Sequence, residues 1–225
     1  MTTDEERAGE TASTGDVDEP DAPESPVDGA EAGPESADDA DVPAWDDEYV
    51  DRVSDRIMFN YDLEKDVTVR GEPFTLRGEL RMESHKQFFH PAITYGHQHA
   101  YEHLFLTERG PVRVSDIDRF VDLGHTLADE WVDADEEHYA TDFTFVAVAD
   151  AISDDVRDRV ASFEERTLLR YGYNGHYEIH LAVVAPEDED LVVSRNADVV
   201  DAIRTWEPIE SDAGFVSRLK QRLFG

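Results

Sequence analysis

Fifty-four acidic residues face only twenty basic ones in this 225-residue chain, a formal net charge of −34. A compact fold must keep most of those carboxylates at its surface, and at ordinary salt their repulsion works against compaction. In about 1 M salt the Debye length falls to about 3 Å and the repulsion is largely screened. The charge is therefore that expected of a protein working in a salt-loaded cytoplasm. The basic residues agree. Only Lys65, Lys86 and Lys220 are lysines, and the other seventeen are arginines, whose planar fork pairs bidentately with carboxylates. Cysteine is absent, which excludes thiol catalysis.

The charge divides along the chain. Residues 1–44 hold fifteen acids, one base and no aromatic. Such a segment cannot bury enough apolar surface to offset the entropy of ordering, so a disordered acidic tail is expected. Trp45 opens the foldable region, and residues 45–208 have the size of a single domain. Residues 209–225 read as a linker and an amphipathic helix. Outside the last dozen residues no basic footprint is present, so nucleic acid is not expected as a partner. No apolar run approaches the ~20 residues of a membrane span. The start MTTDEERAGE lacks the basic and apolar regions of a secretory signal. A soluble cytoplasmic protein is expected.

Within the domain, Trp45, Tyr49, Val53, Ile57 and Met58 recur at helical spacing behind the acidic turn Asp46-Asp47-Glu48. A hairpin follows, turning at Gly71-Glu72-Pro73, with Phe74, Leu76, Leu80 and Met82 on one face of its second strand. A strand near 102–108 precedes a helix capped by Ser115 with Asp118 as box acid. The buried stripe of that helix includes Phe120, Gly124, Leu127 and Trp131. The run from Phe143 to Ala149 reads as a central strand, apolar on both faces. Ser153 starts another helix. Asn174-Gly175 predicts a two-residue hairpin between 167–173 and 176–185, and Asn196 caps a last helix with Val199, Val200, Ile203 and Trp206. The order α-β-β-β-α-β-α-β-β-α predicts an α+β fold, a mixed or mainly antiparallel sheet of about five or six strands with three or four helices.

The segments YDLEKDVTVRGEPFTLRGEL, KQFFHPA, LADEWVDADEEHYATDFTFVAVAD and YGYNGHYEIHLAVVAP resemble an uncharacterised family of haloarchaeal proteins, a domain of unknown function. The resemblance covers about residues 47–207 and leaves out both tails. It agrees with the salt-loaded compartment and implies no activity, ligand or catalytic residue.

Three constellations carry candidate chemistry. Five of nine histidines lie between His85 and His103, with His90, His97 and His99 between them. On an extended strand His97, His99 and His103 share a face, with Glu102 on the other. Three imidazoles would suit zinc or another divalent metal with an open position, although the spacing matches no established metal signature and strand rings stand in a line. The Asn174-Gly175 hairpin, with Tyr173 opposite His176, Tyr171 opposite Glu178 and Leu169 opposite His180, predicts a face of Tyr171, Tyr173, His176, Glu178 and His180. A Glu–His pair there can do acid–base work if its environment tunes it, but same-face neighbours on one strand stand ~7 Å apart. Asp129, Glu130, Asp133, Asp135, Glu136 and Glu137 crowd one helix end; without the spacing or glycine of an EF-hand loop, they read as a hydrated acidic surface.

No phosphate loop, GxGxxG fingerprint, GxSxG elbow or HExxH motif occurs. The element order αβββαβ is partly that of restriction-endonuclease-like nucleases, but no Glu-x-Lys stands on the strand that would need it. Phe215, Arg218, Leu219, Arg222, Leu223 and Phe224 form a basic amphipathic stripe, suited to a protein partner or to docking on the chain's own acidic domain. The expectation is a binding or regulatory module. The competing class is a metal-dependent hydrolase using the His85–His103 cluster. The oligomeric state is not legible.

Overall fold

The computed structural model describes residues 43–86, 96–197 and 199–208. The acidic segment 1–42, His90 and the stripe from Phe215 to Phe224 lie outside the described residues, as do the side chains of His85 and His97. In chain order the elements are α1 (Glu48–Ile57), β1 (Asp62–Val69), β2 (Glu72–Lys86), β3 (Gly96–Gly110), α2 (Val114–Trp131), β4 (His138–Ala149), α3 (Asp154–Ala161), β5 (Glu165–Leu168), β6 (His176–Ala185), β7 (Asp190–Val193) and α4 (Val200–Ile203). This is the expected α+β class. The expected order is observed with one addition, β7, too short and too close to β6 to stand out by periodicity.

The seven strands form one mixed sheet in the order β1-β2-β3-β4-β6-β5, with β7 also paired to β6. β1, β2 and β3 run antiparallel, whereas β4 lies parallel to both β3 and β6. Every residue of β6 and ten of the twelve in β4 are buried, as strands covered on both faces require. On one face, α1 and α4 pack Tyr49, Val50, Val53, Ile57 and Ile203 against Leu76, Leu80, Leu104, Val146 and Val184. On the other, α2 and α3 pack Ile117, Phe120, Leu127 and Val160 against Phe105, Phe143, Phe145, Ile179 and Leu181. The Phe105 and Phe145 rings stack at 5.1 Å, and Phe120 and Phe145 at 5.4 Å. Fully burying one such side chain contributes about 1.5–3 kcal/mol.

Several local expectations need correction. The N-terminal cap of α2 is Arg113, whose backbone N–H donates to Asp116 Oδ2 at 2.9 Å; the helix starts one residue before Ser115, which moves the box acid from Asp118 to Asp116. Trp131 ends α2 at 38 % exposure. The first hairpin turns at Arg70-Gly71, both at positive φ, because β2 already begins at Glu72. Phe74 leaves the face of Leu76 and Leu80 and joins the opposite core, 5.1 Å from Phe105. The break coincides with Asp66, at φ 53° and outside the register between the Lys65–Leu76 and Val67–Phe74 pairs.

The Asn174-Gly175 expectation fails most instructively. β5 ends at Leu168 and pairs Leu168 with His176 and Arg166 with Glu178. Residues 169–172 form a 3-10 turn that leaves Tyr171 and Tyr173 exposed. Asn174 is instead buried, its amide donating to the carbonyls of Ala134 and Asp135. Gly175, at φ 75°, lies so close to Tyr139 that a Cβ would fall 2.0 Å from the Tyr139 carbonyl oxygen. The pair serves tertiary contact rather than a tight turn.

A Gly175→Ala substitution must push β4 and β6 apart at that point and also strain the backbone. It should cost about 2 kcal/mol or more, read as a lowered urea midpoint. An unchanged midpoint would show that the contact is dispensable.

Candidate metal centre

Parallel pairing sets three carboxylates abreast in the middle of the sheet. Glu102 of β3 stands opposite Asp142 of β4, which stands opposite Glu178 of β6. All three are buried, with 4 %, 2 % and 5 % exposure, on the α1/α4 face. One step along, Leu104, Thr144 and His180 form the next rank. The His180 Nε2 lies 3.5 Å from Asp142 Oδ2 and 3.8 Å from Glu178 Oε2. Neither ring nitrogen of His180 has a hydrogen-bond partner, although the side chain is sealed from solvent. One ligand-type atom from each of Asp142, Glu178 and His180 lies within 4.8 Å of the others, and among the described residues only this group does so.

Polar neighbours hold the rank in place. Thr144 donates to Glu102 Oε1 at 3.4 Å, and Asn196 Nδ2 donates to Glu178 Oε2 at 2.9 Å. Asn196 therefore faces the site; the N-terminal cap of α4 is Val199. Tyr61, just after α1, hydrogen-bonds Glu102, and burial, reinforced by Glu102 and Asp142, pushes its phenol well above the ordinary range. Arg166 Nη1 approaches Glu178 Oε1 at 3.5 Å, and its Nη2 donates to His176 Nδ1 at 3.2 Å. Burial first, and then Arg166, lowers the His176 pKa, so this imidazole is a weak source of positive charge. The Arg166 guanidinium that stands beside Glu178 is itself half-exposed. Ionised groups so deep are costly unless protons or cations neutralise them.

His176, Glu178 and His180 share a face of β6 and gather here. Tyr171 and Tyr173 do not, because the chain leaves the sheet after Leu168. His99 and His103 stand on the opposite, α2 face, each beside its own glutamates: His99 lies 3.4 Å from Glu137 and 3.8 Å from Glu83, and His103 lies 3.8 Å from Glu79. The His103 ring stacks on Phe143 at 5.3 Å and meets Trp131 edge-on at 5.1 Å. Sequence reasoning passed over Asp142 and Glu102. A signal was available for Asp142, the charge that immediately precedes the run from Phe143 to Ala149 expected to be apolar on both faces.

A family model described as "Domain of unknown function (DUF8052)" matches residues 46–205. No curated protein and no solved structure matches the chain.

The His103 environment fixes a pH response. Burial first, and Arg77 second, push its pKa down to about 4 from an ordinary 6.5. The unfolded chain therefore takes up this proton at higher pH than the folded one. Stability present above pH 6.5 is lost as pH falls toward about 4, at up to about 1.4 kcal/mol per pH unit. His103→Gln should flatten that slope in denaturation midpoints measured from pH 7 to pH 4; equal slopes would show that other groups carry it.

Proposed function

Since the chain belongs to the family described as a domain of unknown function (DUF8052), which names no activity, we propose from the site alone that it is a divalent-cation-binding module. Asp142, Glu178 and His180 supply the ligands. The observation that carries this reading is His180, an imidazole with both nitrogens buried and unbonded beside two carboxylates. Buried polar atoms are rarely left so unless something else occupies their lone pairs. A cation would take the imidazole lone pair and offset the carboxylate charge together. One nitrogen and two oxygen ligands suit zinc, manganese or ferrous iron better than calcium, which takes six to eight oxygens.

The burial favours holding an ion over presenting it to a substrate, in keeping with a binding or regulatory role. A hydrolase built on His97, His99 and His103 has less support, since the nearest carboxylates of His99 and His103 belong to different glutamates and, among the described residues, ligand-type atoms gather only at Asp142, Glu178 and His180. The acidic, lysine-poor composition supports a salt-loaded cytoplasm as the place of work.

Protein stripped with chelator in high salt and then titrated with Zn²⁺ and Mn²⁺ should bind about one ion per chain. Loading at a hundredfold excess over Kd should add about 2.7 kcal/mol of stability. Asp142→Asn should abolish binding and raise the melting temperature of the metal-free protein, because it removes a like charge from the rank. His99→Gln should leave binding intact. Less than about 0.2 equivalents of every metal tried would sink the proposal. So would an Asp142→Asn variant that melts lower without metal, which would point to carboxylates sharing protons.

A further inference from the structure

We propose that a second site, on the α2 face, binds a small organic cation through an ammonium or guanidinium group. A cleft of ≈190 Å³ opens where the end of α2 meets the start of β4, lined by His99, Tyr101, Trp131, Asp133, Asp135 and Thr141, with His138 behind. It is smaller than the roughly 300–1,000 Å³ of pockets for drug-sized ligands, so it suits a short amine or the head of one basic side chain.

The polarity of the cleft follows from a chain of hydrogen bonds. His138 Nδ1 lies 2.7 Å from the carbonyl oxygen of Asn174, which can only accept, so Nδ1 carries the proton. In the neutral ring Nε2 is then an acceptor and takes the Thr141 hydroxyl proton at 2.9 Å. Thr141 has no second proton and offers the cleft only lone pairs. Asp133 and Asp135 add carboxylates. Asp135 is oriented by the backbone N–H groups of Glu137 and His138, each 2.8 Å from its Oδ1. Asn174 pins the same loop from below through the Ala134 and Asp135 carbonyls.

A ligand entering this space therefore meets the carboxylates of Asp133 and Asp135, the lone pairs of Thr141 and an aromatic wall. An anion would meet carboxylates, and an apolar ligand would strand the acceptors. A cation with N–H donors satisfies both walls, since Trp131 is the best ring for cation–π contact. The wall already accepts that chemistry. Arg77 lies 5.3 Å from the Trp131 ring centroid and Arg81 lies 5.7 Å from that of Tyr101. Both are neutralised by ion pairs, Arg77 with Glu64 and Glu79 and Arg81 with Glu83, and Trp131 stays 38 % exposed with Arg77 in place.

The same head group has two sources, a free amine or a lysine or arginine side chain of a partner. The test follows the Trp131 indole N–H of the ¹⁵N-labelled full chain by NMR. The probes are n-butylammonium, n-propylguanidinium and a blocked Gly-Lys-Gly peptide, with n-butanol as the neutral control. The cations should give a saturable shift and butanol none; tighter binding of the peptide than of butylammonium would assign the source to a partner. Asp133→Asn, at an exposed position, and Thr141→Val should each weaken binding about tenfold. Glu187→Gln, elsewhere on the acidic surface, should change nothing. Asp142→Asn should also leave the shift intact, because neighbouring strand residues point to opposite faces of β4, so failure of the metal proposal would not touch this one. A drift that never saturates, an equal response to butanol, or equal weakening by Glu187→Gln would overturn the proposal.

Discussion

The structure turns on three carboxylates set side by side in a buried sheet. Glu102, Asp142 and Glu178 occupy one rank because β3, β4 and β6 run parallel in matched register. Parallel strands are buried on both faces, so the rank cannot turn to water. Around it the chain places hydrogen-bond donors on Tyr61, Thr144 and Asn196 and the Arg166 guanidinium 3.5 Å from Glu178, contributed by elements far apart in sequence. The apolar cores above and below then act as insulation, and each charge left unmatched in that low-dielectric interior costs more than it would at the surface.

The acidic loop after α2 has two different neighbours. Its outer carboxylates face solvent, as a hydrated surface would. Its backbone is gripped by Asn174, and Gly175 lets the chain approach Tyr139 closely enough for the grip to form. The β5–β6 connection thus stabilises the entrance to β4 rather than merely reversing the chain. Thr141 and Asp142, adjacent in β4, belong to chemically separate surroundings because strand alternation sends them to opposite faces.

Legibility in the sequence followed the range of the interaction. Helix α1 was plain in its 3.6-residue stripe and the acids Asp46-Asp47-Glu48 at its start, of which the structure makes Asp47 the cap, and Ser153 marked the start of α3. β4 was plain as an apolar run with no alternation. Errors arose where a residue suited to one local role was used by a distant partner. Asn174-Gly175 has the chemistry of a type I′ turn, and Asn196 that of a helix cap, yet both side chains are spent on other elements. Clustering in sequence did not forecast which carboxylates the histidines meet. His99 and His103 are near neighbours on one strand, yet each faces its own glutamates, whereas His180 meets Asp142 across thirty-eight positions of chain.

The sequence alone determined the acidity of the surface, the α+β class, the central strand and the absence of familiar catalytic motifs, since these depend on composition and short-range periodicity. It also placed His176, Glu178 and His180 on one face of a strand. Tertiary structure alone decided that Glu102 and Asp142 join them, that Tyr171 and Tyr173 do not, and that α2 ends over an acceptor-lined cleft. The reason is physical: side-chain periodicity is a local property of the backbone, whereas the register between parallel strands is set by packing across the whole sheet.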